Sequence, residues 1–439
     1  MSKLRRLVTS AITSPHTRAV VRARHRVARG LRGGGRSVTF FCQIDDPYGP
    51  IALRLLDRLA ARYDLDLDCR LVPPPDAGAA PEAGLLADYA VKDTARLAAA
   101  LGMTPPGPTP PDGGLVAQAQ RLAAAALPRD DAAAALIAIA TALRQPDAAA
   151  QFAALAAAHG EATPADTETA LDHGAAQRRA LGHYLGSTSY FEGEFYWGAD
   201  RLPYLEARLR DADDTAPPLC PLLDVGTLPP PPTAGGDRPR LDCYLSFRSP
   251  YSLIAAERIG ALAKAYDAAL RLRFVLPMVM RGLPVPRAKT LYITLDTKRE
   301  AERHGIAFGT IVDPVGAGVE RGLAVLHHAI ELGKGLDFAI SFLRAAFAEG
   351  VDMTSDKGLL PVAARVGIDA ATVHGALADP SWRAVAEANR ADLFALGLWG
   401  VPSFQVDDRP AVWGQDRLWV VEDDLRDARG VPQIDRRMK

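Results

Sequence analysis

The sequence predicts an α/β protein that contains the same domain twice, each copy interrupted by an inserted helical subdomain. The first observation is an internal repeat, in which residues 47–102 match residues 203 positions further along the chain. The second is the order of elements predicted in each copy, which is strand, helix, strand, a long helical stretch, and then two strands and a helix. The third is a proline-rich segment, residues 211–239, between the copies.

The repeat consists of identical residues at a constant spacing. The matches at an offset of 203 include Pro47-Tyr48 with Pro250-Tyr251, Tyr63-Asp64 with Tyr266-Asp267, and Asp93-Thr94 with Asp296-Thr297. Towards the end of each copy, small insertions raise the offset to 216, where Trp197-Gly198 matches Trp413-Gly414. So many matches at one offset are not expected by chance, and we interpret the chain as a tandem duplication.

Length and composition agree with a globular protein of more than one domain. The chain has 439 residues, of which 48% are hydrophobic and 23% charged; this length exceeds what one core usually holds. The longest uncharged apolar run, residues 132–143, is too short to cross a bilayer. The cysteines have neither CxxC spacing nor metal-ligand spacing with histidine, so we expect reduced thiols, a cytoplasmic protein and no metal site.

The first 36 residues are strongly basic, with ten Lys or Arg and no acidic residue. No apolar segment of the kind found in secretory signals follows them. We predict a basic N-terminal arm at residues 1–36, which the glycines 33–35 separate from the first domain. We expect a solvated, partly helical arm of unassigned role. The alternatives are a mitochondrial-type transit peptide and a surface helix that contacts a membrane surface or a partner. No nucleic-acid partner is expected for the protein.

The remaining chain divides into a first domain (37–210), a linker (211–239), a second domain (240–427) and a tail (428–439). Four consecutive prolines, 229–232, predict an extended polyproline spacer in the linker. In the second domain the predicted helical stretch covers residues 289–390. Its expected breaks lie at Gly305, Pro314, Gly333–Gly335, Gly350 and Pro380.

The second domain opens with a serine placed directly before a proline, in the run Cys-Tyr-Leu-Ser-Phe-Arg-Ser-Pro-Tyr-Ser (243–252). Proline suits a helix start because its missing N–H would have no partner there. The hydroxyl of Ser249 can donate to a thiolate at a helix N-terminus, where free N–H groups favour negative charge. The alternative is that Ser249 only caps the helix, as most serines in Ser-Pro helix starts do.

Two further motifs lie near the end of the domain. The run Trp-Gly-Val-Pro-Ser-Phe (399–404) precedes a predicted strand, and Trp-Gly-Gln-Asp-Arg-Leu (413–418) opens the last helix. Polar groups at a helix N-terminus can bind carboxylate and ammonium groups of a ligand. The alternatives are an ordinary turn at the first motif and plain helix capping at the second.

These three motifs, in this order, resemble those of 2-hydroxychromene-2-carboxylate isomerases and kappa-class glutathione transferases over residues 241–425. The resemblance implies a thioredoxin-like fold of the DsbA type and glutathione as the cofactor. It implies that Ser249 is the catalytic residue that activates the glutathione sulfur. It implies that glutathione is held by Val401, Pro402, Gln415 and Asp416, with a cis bond between Val401 and Pro402. At the γ-glutamyl end, Gln415 is expected to bind the carboxylate and Asp416 the ammonium.

The first domain lacks these parts. At the position of Ser249 it has Asp46, whose ionised carboxylate would repel a thiolate. We align Ser187-Thr188 with Val401-Pro402 and expect a trans bond there, since cis bonds are essentially confined to proline. The first domain is therefore predicted to be a degenerate, non-catalytic thioredoxin-like domain.

The predicted function is that of a glutathione-dependent isomerase or transferase acting on a small hydrophobic molecule, aromatic or conjugated. The alternative is a non-enzymatic thioredoxin-like scaffold that binds peptide or protein partners, which the basic arm and the degenerate first copy favour. A disulfide oxidoreductase would need a cysteine pair in the turn at 248–251, and none is there. The sequence therefore argues against that chemistry.

Overall fold

The computed structural model describes residues 2–211, 213–230 and 238–436. The chain forms two compact units. The first unit contains residues 19–223, and the second contains residues 224–434 together with the first 18 residues of the chain. The predicted basic arm is thus divided between the two units. Part of the predicted polyproline spacer and the last three residues of the tail lie outside the described residues.

Each unit contains one four-stranded mixed sheet with the same pattern of pairing. The strands of the first are β1 (Arg36–Cys42), β2 (Leu65–Leu71), β3 (Thr188–Phe191) and β4 (Glu194–Trp197), in the order β2-β1-β3-β4. Those of the second are β5 (Arg240–Leu245), β6 (Ala269–Phe274), β7 (Ser403–Val406) and β8 (Val412–Trp413), in the order β6-β5-β7-β8. In each sheet the first two strands are parallel and the other pairs antiparallel.

The helices follow the predicted order. The basic segment contains α1 (Ser2–Ile12) and α2 (Pro15–Leu31). The helices between β1 and the end of the first unit are α3 (Gly49–Tyr63), α4 (Ala83–Ala100), α5 (Gly113–Ala126), α6 (Ala132–Ala142), α7 (Ala148–His159), α8 (Pro164–Leu181) and α9 (Leu202–Leu209). Those after β5 are α10 (Pro250–Ala265), α11 (Arg287–Arg303), α12 (Ala317–Glu331), α13 (Gly335–Phe347), α14 (Asp356–Ala364), α15 (Ala370–Ala378), α16 (Trp382–Ala395) and α17 (Leu418–Ala428).

The inserted helical subdomain of the second unit comprises α11 to α16, between β6 and β7. All five predicted breaks fall between helices. A further break, between α14 and α15, was not predicted; there Gly367 has a φ of 70°, a left-handed conformation that glycine adopts without strain. The predicted fold class, with two thioredoxin-like units that each carry inserted helices, is confirmed.

Both units contain the same two pairs of hydrogen-bonded side chains. Tyr48 donates its hydroxyl proton to Asp93 over 2.7 Å in the first unit, and Tyr251 donates to Asp296 over 2.7 Å in the second. Likewise, the hydroxyl of Tyr63 lies 3.0 Å from Glu206, and that of Tyr266 lies 3.0 Å from Glu422. The two units differ in their candidate site residues but share these pairs. The pairs therefore stabilise the fold and are not specific to function.

The predicted linker is hydrogen-bonded to these two glutamates. In the first unit Glu206 accepts hydrogen bonds from the amides of Leu219 and Cys220, at 2.7 and 2.8 Å. In the second unit Glu422 accepts one from the amide of Gly226 at 2.8 Å. The predicted linker is therefore held against folded structure over much of its described length.

No helix in the described part of the chain has both the length and the apolar character needed to cross a bilayer.

Candidate functional site

Ser249 stands at the junction between β5 and α10. The chain turns after β5, and the amide of Ser249 donates to the carbonyl of Ser246 over 3.0 Å. Pro250 then occupies the first position of α10. The hydroxyl oxygen of Ser249 accepts a hydrogen bond from the amide of Ser252 at 3.3 Å, so the serine does cap the helix.

The proton of the same hydroxyl is directed at Val401. Ser249 Oγ lies 3.1 Å from the carbonyl oxygen of Val401 and donates to it. A hydroxyl has one proton, so donation to a ligand sulfur requires rotation about the Cβ–Oγ bond away from Val401. The structure thus places Ser249 and Val401 together, as the sequence motifs predicted.

The loop before β7 brings Val401 and Pro402 to this junction. The peptide bond between them is cis, as predicted from the sequence. Trp399 and Trp413 pack with ring centroids 4.8 Å apart, and a Cβ atom on Gly400 would come within 2.5 Å of the Trp413 ring. Glycine at 400 is therefore required for this close packing, which holds the loop in place.

Gln415 is buried at the start of the last helical segment. Residues 415–417 form a short 3-10 helix that continues into α17, so the predicted last helix starts with a tighter turn. The side-chain amide of Gln415 donates to Glu300 on α11, with Nε2 2.6 Å from the carboxylate. Both side chains are buried. Because a carboxylate only accepts, this bond fixes which end of the amide is nitrogen.

The carbonyl oxygen of Gln415, Oε1, is buried and has no hydrogen-bond partner among the described residues. A buried acceptor without a partner costs roughly 1–3 kcal/mol and is uncommon in native structures. Asp416, the next residue, is only partly exposed and lies 3.8 Å from Arg417. The helix start therefore presents an unpaired acceptor beside a carboxylate.

Arg248 does not contribute a free cation to the site. It forms a two-pronged ion pair with Asp313, with Nε 3.0 Å from Oδ1 and Nη2 2.9 Å from Oδ2. This pair joins the turn before α10 to the segment between α11 and α12. Arg248 therefore positions the turn that carries Ser249.

The four cysteines are unpaired and buried. Burial raises the pKa of each thiol, that of Cys69 and that of Cys243 to about 12. A thiol needs a lowered pKa to act as a nucleophile at neutral pH. The cysteines of this chain are thus unsuited to disulfide exchange. No cluster of His, Cys, Asp or Glu suited to a metal ion is found in the described part of the chain.

The hydrogen-bond register corrects the alignment of the two units by one residue. The amide of Gly414 donates to the carbonyl of Pro402, and that of Gly198 to the carbonyl of Ser187, both at 2.9 Å. In the sheets, Ser403 pairs with Trp413 as Thr188 pairs with Trp197. The counterparts of Val401 and Pro402 are therefore Gly186 and Ser187, and the assignment of Ser187-Thr188 to that position was wrong.

Asp46 does occupy the position of Ser249. Its amide donates to the carbonyl of Gln43 over 3.1 Å, as that of Ser249 does to Ser246. The helix starts differ, because α10 begins directly after Ser249 whereas α3 begins three residues after Asp46, at Gly49. Burial raises the pKa of this carboxyl from 3.8 to about 6, although the amide of Tyr48 donates to it at 3.0 Å. The first unit therefore has an acidic group where the second has a hydroxyl.

Glu300 is a site residue that the motifs did not reveal. At the offset of 203 its counterpart is Leu97, and at the offset of 216 the counterpart of Gln415 is Ala199. Both residues of a polar pair in the second unit are thus apolar in the first. This paired difference is visible in the sequence once the repeat is aligned, and it would have pointed to Glu300.

The fold and the junction at Ser249 define a thioredoxin-fold domain with inserted helices. Residues 240–426 match the family model described as the DSBA-like thioredoxin domain, and this part of the chain is a domain of that type. No curated protein matches the chain significantly.

Among solved structures, the chain is similar to a 2-hydroxychromene-2-carboxylate isomerase, with 20% identity, 43% of this chain and 95% of that chain covered, and a TM-score of 0.38. It is also similar to a probable DsbA oxidoreductase from Streptomyces coelicolor, with 22% identity, coverage of 45% and 92%, and a TM-score of 0.35. A third is the cytosolic disulfide reductase DsbM from Pseudomonas aeruginosa, solved with GSH, with 19% identity, coverage of 43% and 96%, and a TM-score of 0.31.

Proposed function

We propose that the second unit is a glutathione-dependent isomerase or transferase that acts on a small hydrophobic molecule with an aromatic or conjugated carbon. The observation that carries this proposal is a set of differences between the units. The second unit contains Ser249, Val401-Pro402 and the Glu300–Gln415 pair. The first has Asp46, Gly186-Ser187 and the apolar pair Leu97 and Ala199 instead.

The residues present fit glutathione. The buried, unpartnered Oε1 of Gln415 and the carboxylate of Asp416 suit the ammonium of the γ-glutamyl end. This differs from the carboxylate contact expected of Gln415, because Glu300 already takes its Nε2. The amide of Val401 makes no hydrogen bond within the described residues and suits a backbone carbonyl of the tripeptide.

Ser249 and α10 would stabilise the sulfur of the bound tripeptide as a thiolate. The positive end of the α10 helix dipole favours negative charge, and the Ser249 hydroxyl adds one charge-assisted hydrogen bond. Glutathione would supply the nucleophile that adds to a conjugated carbon, and that leaves again in an isomerase but not in a transferase. The ion pair of Arg248 with Asp313 holds the turn that orients the hydroxyl.

We also infer that the units arose by duplication and that the first lost its catalytic role. The identical sheet orders and the recurring tyrosine pairs support this. The unpaired cysteines support function in the cytoplasm, where thiols stay reduced.

Replacing Ser249 by alanine tests the proposal. We expect Ser249→Ala to bind glutathione with an affinity within about threefold of the parent, since the tripeptide is held elsewhere. The pKa of the bound thiol should rise by about one unit, because a hydrogen bond to a charged group contributes roughly 1.5–3 kcal/mol. Turnover of an aryl chloride activated by nitro groups should fall about tenfold at neutral pH. Thiolate absorbance as a function of pH gives the thiol pKa.

The matched control is Asp46→Ala, at the same position of the first unit, which should change neither quantity. An unchanged thiol pKa in Ser249→Ala would remove Ser249 from the mechanism. A parent protein that does not bind glutathione in calorimetry would contradict the proposed cofactor itself.

A further inference from the structure

The basic helix α2 attaches to the first unit through charged side chains. Arg22 forms two hydrogen bonds with Glu194, at 2.5 and 3.0 Å, and Arg29 pairs with Glu192. Arg22 and Arg29 are seven residues apart and lie on one side of the helix. The side of α2 that faces its own unit is therefore held by ion pairs.

The opposite side of α2 carries apolar side chains into solvent. Val20, Val27 and Leu31 are 56%, 61% and 84% exposed. With Arg24, which is also exposed, they follow the spacing i, i+4, i+7 and i+11 of a single helical stripe. A surface helix usually buries its apolar side and exposes its charges, and α2 has the reverse arrangement.

Helix α1 shows the same reversal in the second unit. The hydroxyl of Thr9 accepts from the amide of Ile311 at 3.1 Å, and that of Thr13 donates to the carbonyl of Gly309 at 3.2 Å. The exposed apolar residues of α1 are Leu7, Val8 and Ile12. Both helices therefore attach by polar groups and leave apolar side chains outside.

Exposed apolar side chains are concentrated in this short segment. Seven of the twelve large hydrophobic residues that are exposed in the described part of the chain lie within residues 7–31. Scattered exposed apolar residues are normal, but a concentration of them marks an interaction surface.

The charge of the segment selects the partner. Residues 1–36 contain ten basic residues and no acid, whereas the rest of the chain has 41 basic and 52 acidic residues. An anionic lipid surface offers two kinds of contact. Its acyl chains can bury valine and leucine side chains, and its phosphates can pair with arginine side chains. A second copy that met this chain face to face would bring Arg24 towards its own equivalent, which like charges oppose. Nucleic acid offers phosphates but no layer that buries valine and leucine.

We propose that the outward faces of α1 and α2 bind anionic membrane surfaces, with the helices lying in the lipid headgroup region. The valines, leucines and isoleucine enter the acyl boundary, and arginines that face solvent, such as Arg24, extend to the phosphates. This binding is independent of glutathione. It brings the protein to a lipid surface, although no helix among the described residues is long and apolar enough to cross a membrane.

Sedimentation of the full-length protein with vesicles tests the proposal. We expect binding to vesicles of phosphatidylcholine mixed with phosphatidylglycerol, and little binding to phosphatidylcholine alone. Added salt should weaken the binding, because it screens the arginine–phosphate attraction. The triple variant Val20→Ser, Val27→Ser and Leu31→Ser should lose at least about tenfold in affinity, since each replacement removes apolar contact with the acyl chains.

The matched control is Leu332→Ser, which changes a residue of similar exposure (54%) on the surface of the second unit and should bind as the parent does. Far-ultraviolet circular dichroism checks that each variant is folded. Failure of the parent to sediment with anionic vesicles would overturn the proposal. Equal sedimentation of the parent and the triple variant would overturn it too. Self-association of the parent that the triple variant abolishes, without vesicle binding, would identify a second copy as the partner instead.

Discussion

The buried pair of Glu300 and Gln415 separates the two units at the scale of single residues. A carboxylate that is almost fully buried is costly unless it is hydrogen-bonded, and here it fixes an amide whose other end has no partner. In the first unit Leu97 and Ala199 stand at these positions, so the fold itself does not need the pair. We interpret Glu300 as a positioning residue that orients Gln415 towards a ligand.

Glu300→Gln is expected to weaken glutathione binding about tenfold, because a charge-assisted hydrogen bond to Gln415 becomes a neutral one. The effect should appear in KM for glutathione and leave kcat nearly unchanged, since Glu300 is assigned to positioning and not to the reacting sulfur. Glu331→Gln, a change of an exposed glutamate on α12, is the control and should alter neither constant. A fall in kcat with unchanged KM would contradict the assignment.

At the scale of elements, the strand–turn–helix segment carries opposite chemistry in the two units. In the first unit Asp46 lies in the turn before α3, and negative charge near a helix N-terminus is ordinarily favoured. Burial outweighs this effect and raises the carboxyl pKa from 3.8 to about 6. The folded state therefore binds a proton more tightly than the unfolded state, and the stability that this contributes is lost as pH rises from about 4 to about 6.

Asp46→Asn should remove this pH dependence. Relative to the variant, the parent should lose unfolding free energy between about pH 4 and pH 6, by about 2–3 kcal/mol, since one pKa unit corresponds to ~1.4 kcal/mol. Chemical denaturation at a series of pH values measures the difference. Asp66→Asn, at an exposed position in β2, controls for the loss of a charge. Parallel pH curves for the parent and Asp46→Asn would contradict the prediction.

The sequence predicted those elements whose signals are local. Proline at a helix start marked α10, and the glycines at 305, 333 and 350 marked three helix ends. Gly367 was missed because a lone glycine within a helical pattern is often tolerated. The one-residue error at Ser187 arose because insertions in the helical subdomain change the offset, and only the ladder of hydrogen bonds fixes the register. Glu300 and Gln415 are 115 residues apart, a contact that no local pattern reports.

At the scale of the whole molecule, the shared pattern of elements makes each unit a comparison for the other. Sheet order, the tyrosine pairs and the left-handed residues Asp64 and Asp267 are common to both and belong to the fold. The hydroxyl of Ser249, the Val401-Pro402 segment and the buried polar pair occur in one unit only. This distribution predicts a single ligand site in each chain.

We therefore expect calorimetry on the full-length protein to give one glutathione per chain. The variant Gln415→Leu should abolish this binding and not halve it, because it removes both the free acceptor and the partner of Glu300. Asp46→Ser should leave the stoichiometry at one. It restores a hydroxyl to the first unit, but Gly186-Ser187 and the apolar pair remain, so two of the three contacts are still missing. Two sites per chain in the parent protein, or residual tight binding in Gln415→Leu, would show that the first unit retains a site and would overturn this division of roles.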